Sequence, residues 1–96
     1  MAAFIIVDTR INNPEAYEEY KALARLVAEK YGGVYRARGG EIDAYETTLW
    51  APTRIVIVEF PSREQANAFL NSEEYAPVKA IRLANADCTT IVVEGI

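Results

Sequence analysis

The apolar residues of this chain fall into several short runs. Residues 4–9, 54–60 and 89–94 are rich in isoleucine, valine and phenylalanine, and runs of β-branched and aromatic residues predict β-strands. Alternate side chains of a strand point to opposite faces of its sheet. In all three runs both alternating sets are largely apolar, as with Ile5 and Val7 against Phe4 and Ile6. The strands are therefore expected to bury both of their faces.

A longer segment shows helical spacing. Asn12-Asn13-Pro14 predicts a helix start, because an asparagine side chain can cap free backbone N–H groups and proline suits the first helical position. Apolar residues then recur every three or four positions as far as Tyr31, which makes one apolar stripe. Gly32-Gly33 is expected to end this helix, since glycine adopts the left-handed conformation without steric cost.

A second helix is predicted to begin after Ser62, which forms a capping box with Gln65, and to end near Asn71. Residues 72–75 indicate another helix start. Pro77 is expected to kink or restart that turn, because proline lacks a backbone N–H and its ring crowds the preceding turn.

Residues 34–38 and 42–47 predict two further short strands, joined as a hairpin at the glycine pair Gly39-Gly40. The element order is then β-α-β-β-α-β with an extra hairpin strand and an extra helical turn. This order predicts one α+β domain over residues 1–96, a ferredoxin-like sandwich with strand order 4-1-3-2. Right-handed crossovers place both main helices on the same face of the sheet.

Helices on one face leave the other apolar face of the sheet uncovered. An exposed apolar surface of several hundred Å² is unusual on a soluble monomer. A second copy packed sheet against sheet would cover it, because two-fold pairing needs only one self-complementary surface. The sequence therefore predicts a homodimer.

One acid interrupts each of the strongest strands: Asp8, Glu59 and Glu94. With strands 1 and 3 taken as parallel neighbours, Asp8 and Glu59 are expected at one end of the sheet and Glu94 at the other. When two carboxylates lie close together in a cleft with little water, the pKa of one of them is raised or the pair binds a cation. The alternative is that these acids lie at the solvent-exposed margin of the sheet, or form structural ion pairs with arginine.

Net charge and cysteine usage limit the partners and the compartment. The 96 residues carry a net charge of -4 and no cluster of basic residues, which disfavours nucleic acid and anionic membrane surfaces as partners. The single cysteine, Cys88, fits a reducing cytoplasm. No apolar stretch reaches the length of a membrane span or a secretion signal. A cytoplasmic location is expected.

The chain contains no histidine, which removes most common catalytic and metal chemistry. One cysteine without histidine cannot build a zinc site, and a serine or cysteine nucleophile has no histidine base. No metal and no cofactor are expected. Glu41, Asp43 and Glu46 could supply an oxygen-ligand site, but a solvated hairpin is the favoured explanation of these acids.

Arginine offers a more specific chemistry. Guanidinium groups bind carboxylate or phosphate through two parallel hydrogen bonds, and four arginines are expected in or beside the cleft. The predicted ligand residues are Arg38, Arg54 and Arg82, with Tyr20 or Tyr75 supplying a hydroxyl, and Arg36 is the fourth arginine. The alternative is that these arginines pair with Asp8, Glu59 or Asp43, and that Tyr17, Tyr20 and Tyr31 serve as core rings whose hydroxyls reach water.

Seven short motifs occur in an order that resembles domain-of-unknown-function family 1330, a group of small bacterial proteins of the dimeric α+β barrel superfamily. They span nearly the whole chain: Asn13-Pro14-Glu15-Ala16-Tyr17, Tyr31-Gly32-Gly33, Arg38-Gly39-Gly40, Arg54 with Glu59-Phe60-Pro61-Ser62, Asn71-Ser72-Glu73-Glu74-Tyr75, Lys79-Ala80-Ile81-Arg82 and Val93-Glu94-Gly95. The resemblance implies a ferredoxin-like dimer and no particular reaction. The wider superfamily includes cofactor-free monooxygenases, lactone isomerases and haem proteins, several of which use a histidine that this chain lacks.

Three hypotheses on function follow. The first is a dimer that binds a small, possibly anionic ligand between sheet and helices or at the dimer interface. The second is a cofactor-independent enzyme, monooxygenase-like or isomerase-like, that acts on a small organic acid with Glu59 or Asp8 as base. The third is a purely structural assembly module. The sequence leaves open whether the protein is an enzyme.

Overall fold

The computed structural model describes residues 1–96 as one four-stranded antiparallel sheet with three helices. The elements in chain order are β1 (Ala3–Ile11), α1 (Pro14–Lys30), β2 (Val34–Arg38), β3 (Ile55–Phe60), α2 (Arg63–Leu70), α3 (Ala76–Asn85) and β4 (Ala86–Glu94). The sheet order is β2-β3-β1-β4, which is the predicted order 4-1-3-2 taken from its other edge. The prediction of a ferredoxin-like α+β fold is confirmed.

The helix ends follow the predicted capping residues. The Asn13 side chain accepts a hydrogen bond from the backbone N–H of Ala16, and Pro14 occupies the first turn of α1. The turn after α1 contains Gly32 at a φ of 88°, a conformation that favours glycine. Ser62 caps α2 by accepting from the backbone N–H of Gln65 at 3.1 Å.

The third helix is longer than the predicted extra turn. It runs from Ala76 to Asn85, with Pro77 in its first turn. The proline begins the helix there instead of kinking it, because a first-turn N–H has no partner inside the helix in any case.

The predicted strand at residues 42–47 is wrong. Residues 39–54 contain no regular secondary structure, and β2 pairs directly with β3. Glu41, Asp43 and Glu46 are poor strand formers, and Gly39, at a φ of 72°, turns the chain away from β2. The glycine pair therefore begins a long connection and not a tight hairpin.

The core lies between the sheet and the helices. Ile5, Val58 and Phe60 of the sheet pack there against Phe69 of α2 and Tyr75, which precedes α3. The Phe69 ring lies 5.5 Å from the Phe60 ring and 4.5 Å from the Tyr75 ring, measured between centroids. Aromatic packing thus joins the helix layer to the sheet.

No helix covers the other side of the sheet. We call this side the open face; it carries Phe4 and Ile6 of β1, Ile57 of β3, and Ile91 and Val93 of β4. The molecule measures 36 × 33 × 18 Å, and the short dimension fits one sheet with one helix layer. The prediction that the helices shelter only one apolar face is confirmed.

The predicted placement of the acids is wrong. Strands β1 and β3 are antiparallel, with Asp8 opposite Ile55 and Phe4 opposite Glu59. Asp8 and Glu59 therefore lie at opposite ends of the open face. Glu94 lies at the Glu59 end of the sheet, but its pairing with Ala3 places it on the helix side. In this topology β3 lies between β1 and β2 and is antiparallel to both, so β1 and β2 run parallel to each other.

Asp8 anchors the long connection to the open face. Its carboxylate accepts hydrogen bonds from the backbone N–H groups of Thr53 and Arg54, at 2.9 and 3.0 Å, and from the Trp50 indole at 2.6 Å. Partial burial by itself would raise the pKa of Asp8, but these hydrogen bonds outweigh burial and hold the pKa below the ordinary value. This carboxylate is a structural anchor of the long connection.

None of the three helices combines the length and the apolar content that a membrane crossing requires.

We predict that Gly33→Ala lowers the free energy of unfolding by about 1–3 kcal/mol, because a side chain is forced into a filled space. A Cβ at Gly33 would lie 2.8 Å from the Phe60 ring and 2.9 Å from the Ala28 carbonyl oxygen. Gly40→Ala is the matched control, since a Cβ there meets nothing within 4 Å. Urea unfolding measures both variants, and equal midpoints would contradict the packing described here.

We predict that Asp8 contributes stability that is lost at acid pH. Its folded pKa is depressed below the ordinary value of 3.8, so the contribution is complete above that pH and falls as pH drops towards the folded pKa. Asp8→Asn should cost about 2 kcal/mol at neutral pH, as for a hydrogen-bonded charge, and should lose less stability than wild type on acidification. Urea unfolding between neutral and strongly acid pH tests this, with the exposed Asp43→Asn as control. Parallel pH curves for wild type and Asp8→Asn would refute it.

Candidate functional site

A small cavity lies between the sheet and the helix layer. Its volume is about 40 Å³, while one water needs about 10–15 Å³ by the same measure. Apolar side chains such as Val7, Val56 and Leu70 form much of its wall. The polar and charged residues that line it are Tyr17, Tyr20, Lys21, Tyr35, Arg38, Arg54, Tyr75, Arg82 and Thr90. All five residues predicted to bind a ligand line this one cavity; that they bind one stays a prediction.

Arg82 is the most unusual of these residues. It is only 5% exposed, and its Nε has no hydrogen-bond partner. None of the five ion pairs of the chain includes it. Burial by itself would lower the pKa of Arg82, but the adjacent Cys88 thiol and the Tyr75 and Tyr20 phenols outweigh burial and raise it. The cavity therefore contains a buried guanidinium cation without a carboxylate partner.

Two tyrosines form a hydroxyl pair in the cavity wall. The Tyr20 and Tyr75 hydroxyl oxygens lie 2.7 Å apart, a hydrogen bond in which either can donate. Burial first, and then the neighbouring Tyr75, raises the pKa of Tyr20, so the phenol stays neutral. One hydroxyl donates to the other, which leaves one O–H free to donate to a further acceptor.

Thr90 is a cavity residue that the sequence analysis missed. Its hydroxyl oxygen is buried without a hydrogen-bond partner. On β4 it pairs with Val7 of β1, and alternation along both strands places these two residues on the helix side. Strand parity was the signal that could have found it. Tyr17, interpreted as a core ring, also lines the cavity, and burial raises the pKa of its phenol.

Arg38 and Arg54 line the cavity from the two ends of the long connection. The Arg38 guanidinium lies 5.5 Å from the Tyr35 ring centroid, and the Arg54 guanidinium lies 6.0 Å from the Tyr17 ring, distances typical of cation–π contacts. Arg54 also passes close to Gly39, where a Cβ would lie 2.8 Å from its Nε. A glycine at that position leaves room for the arginine.

Arg36 does not join this cluster. The pairing of β2 with β3 shifts by one residue between Tyr35 and Ala37, which is the effect of a β-bulge. Arg36 donates a hydrogen bond to Glu59 at 3.0 Å, and Glu59 lies on the open face with Phe4. Four arginines were expected in or beside the cleft. Arg38, Arg54 and Arg82 line the cavity, and Arg36 does not.

No acidic side chain lines the cavity. Asp8 and Glu59, the predicted base candidates, both lie on the open face, one bound to the long connection and the other to Arg36. Lys21 is the fourth cationic residue of the lining and pairs with Glu18 at 3.0 Å. The lining is thus cationic, with hydroxyl groups and an apolar wall. No group of three or more acids and cysteines is arranged to hold a metal ion.

Solved structures share this architecture. A protein of unknown function from Rhodopseudomonas palustris superposes with a TM-score of 0.78 at 19% identity, covering 99% of this chain and 82% of that one. A dimeric ferredoxin-like protein of unknown function from Jannaschia sp. CCS1 gives 0.73 at 12% identity, covering 99% and 100%. SnoaB, a cofactor-independent oxygenase from Streptomyces nogalater, gives 0.68 at 7% identity, covering 99% and 93%. At these identities the likeness establishes the fold alone.

No curated protein matches the chain in sequence. The family model described as "Domain of unknown function (DUF1330)" matches residues 2–96, which is nearly the whole chain and agrees with the motifs noted in the sequence. The chain belongs to the DUF1330 family.

Proposed function

We propose that this protein is a homodimer that binds a small organic acid as its anion in the cavity between sheet and helices. The observation that carries the proposal is Arg82, a buried guanidinium with an unpartnered Nε and no acid beside it. The neighbouring thiol and phenols favour the cation, but no carboxylate lines the cavity to neutralise its charge. A bound anion would supply the missing partner.

The charges around the cavity support an anion over a neutral ligand or a cation. Lys21, Arg38 and Arg54 line it together with Arg82, and no aspartate or glutamate does. A carboxylate can accept two parallel hydrogen bonds from one guanidinium. The Thr90 hydroxyl and the free hydrogen of the Tyr20–Tyr75 pair are further donors that face the same space.

Size and wall chemistry favour a small carboxylate with a hydrocarbon part. The volume of about 40 Å³ admits only a few non-hydrogen atoms. Val7, Val56 and Leu70 line the cavity without offering hydrogen bonds. A phosphate, which needs donors around all of its oxygens, would leave part of its surface against this apolar wall. A short-chain carboxylic acid offers a carboxylate to the cationic residues of the lining and a hydrocarbon chain to the apolar wall.

The open face supports self-association. Ile91 and Val93 are exposed on it, next to Phe4 and Ile6, and no part of the chain covers them. The structurally similar protein from Jannaschia sp. CCS1 is described as dimeric. Packing two open faces together would bury these side chains in a self-complementary contact.

A second candidate is a cofactor-independent enzyme acting on a small organic acid, which the fold likeness to SnoaB favours. Glu59 and Asp8 lie on the open face, so as bases they would serve a site at the dimer interface. Turnover of an organic acid that survives Arg82→Met but is lost in Glu59→Gln or Asp8→Asn would favour this candidate. If the protein is a dimer and no ligand changes its stability, the hypothesis of a purely structural assembly module is favoured.

We predict that propionate stabilises the wild-type protein against heat and that Arg82→Met abolishes the effect. Saturation at about 100 times Kd should add about 2.7 kcal/mol. Propionamide, a neutral molecule of the same shape, should have no effect. Arg63→Met is the matched control, since Arg63 is exposed and lies in no ion pair. Without ligand, Arg82→Met should still melt cooperatively, because methionine replaces the buried side chain with an apolar one of similar length. If propionate stabilised wild type and Arg82→Met equally, or stabilised neither of them, the assignment of the anion site to Arg82 would be wrong.

We predict that the wild-type protein has twice the mass of one chain in light scattering at micromolar concentration. Val93→Lys should yield the mass of a single folded chain, because it places an unpaired charge within the apolar contact along β4. Leu83→Lys is the control, since Leu83 is exposed on α3, on the helix side of the molecule. A single-chain mass for wild type, or a dimeric Val93→Lys, would contradict the proposed interface.

A further inference from the structure

The connection between β2 and β3, residues 39–54, is a second apolar surface that the chain does not cover; we call it the arm. Tyr45 is 94% exposed, Leu49 is 95% exposed and Trp50 is 55% exposed. Connections of this length without secondary structure are uncommon in compact domains and usually functional or disordered. Large apolar side chains of this kind normally mark a contact surface when they lie together.

The arm is fixed to the sheet at its second end. The three hydrogen bonds to Asp8 hold Trp50, Thr53 and Arg54. Asp8 lies on the open face, in the same row as Ile55 and Thr89, and its side chain meets the Trp50 indole there. The arm therefore continues the apolar surface of the open face beyond the end of the strands.

We propose that the arm packs against the second copy of this chain and extends the contact between the two open faces. The proposal rests on the homodimer proposed above and adds to it the residues outside the sheet that hold the partner. In this arrangement Leu49, Tyr45 and Trp50 become buried on dimerisation, and Asp8 sets the position from which the arm reaches the partner.

The position of the arm favours a second copy as the occupant, because the arm continues the open face that is proposed to bind that copy. Glu41, Asp43 and Glu46 lie on the arm, and no basic residue occurs between positions 39 and 53. None of these acids takes part in an ion pair within the chain. Two acidic arms repel one another, so each arm is expected on the body of the partner. The same acids disfavour nucleic acid and anionic lipid.

Trp50 is the single tryptophan of the chain and reports directly on the arm. In a dilution series from high micromolar to nanomolar concentration, its emission should move to longer wavelength and become more accessible to acrylamide as the dimer separates. The midpoint of the fluorescence change should coincide with the midpoint of the mass change in light scattering.

Leu49→Ser should raise the dimer dissociation constant about tenfold, which corresponds to the loss of about 1.4 kcal/mol from one apolar anchor. Leu49 is almost fully exposed within its own chain, so the substitution should leave monomer folding intact. Leu26→Ser is the matched control, because Leu26 is 62% exposed on α1, on the helix side of the molecule. This control should dimerise as wild type does.

The outcomes separate the arm from the other proposals. If Leu49→Ser does not change dimerisation, and Trp50 emission stays constant while the mass doubles, the proposed role of the arm is wrong and the proposed dimer is unaffected. Trp50 emission that responds to propionate and not to protein concentration overturns it too, since the arm would then cover its own cavity. A chain that stays monomeric at every concentration overturns both arm and dimer, while the thermal response to propionate still decides the ligand site.

Discussion

The structure depends on one constraint: the crossovers place all of the helices on a single face of a sheet that is apolar on both. The face under the helices receives the core, with Phe60, Phe69 and Tyr75 in mutual contact. The other face retains Phe4, Ile6 and Ile57, which are half-buried and have no helix over them. The fold thereby divides the molecule into a helix-covered side, which carries a cavity, and an open face without a helix layer.

The two sides also differ in how their charges are compensated. On the open face, Glu59 is bound to Arg36 and Asp8 accepts three hydrogen bonds. In the cavity, Arg82 is surrounded by phenols and a thiol and has no acid beside it. Burial of ionic groups is tolerated where each has a partner. The contrast explains why the cavity, and not the acids of the open face, is the better candidate for a ligand site.

Local rules predicted much of the fold because they act over a few residues. Asn13 and Ser62 cap helices as expected, Gly32 takes the left-handed turn after α1, and strand parity distinguished the two faces correctly. The errors arose where the outcome depends on distant segments. The Gly39-Gly40 pair suggested a hairpin, but β2 pairs with β3 instead and leaves residues 39–54 as an arm. The relative position of Asp8 and Glu59 required the direction of β3, which no local pattern contains. Thr90 was accessible through parity, but its missing hydrogen bond can be seen only once α3 is in place.

The one-residue shift in β2 connects the two sides of the molecule. Beyond Tyr35, which pairs with Val58, an unshifted strand would place Arg38 opposite Ile55 on the open face. The shift instead pairs Ala37 with Ile57 and Arg38 with Val56, so Arg38 points to the cavity while Arg36 reaches Glu59. A single extra residue thus leaves Arg36 on the open face with Glu59 and turns Arg38 to the cavity. The pairing of an edge strand therefore adds one more cation to a lining that already holds Arg82 and Arg54.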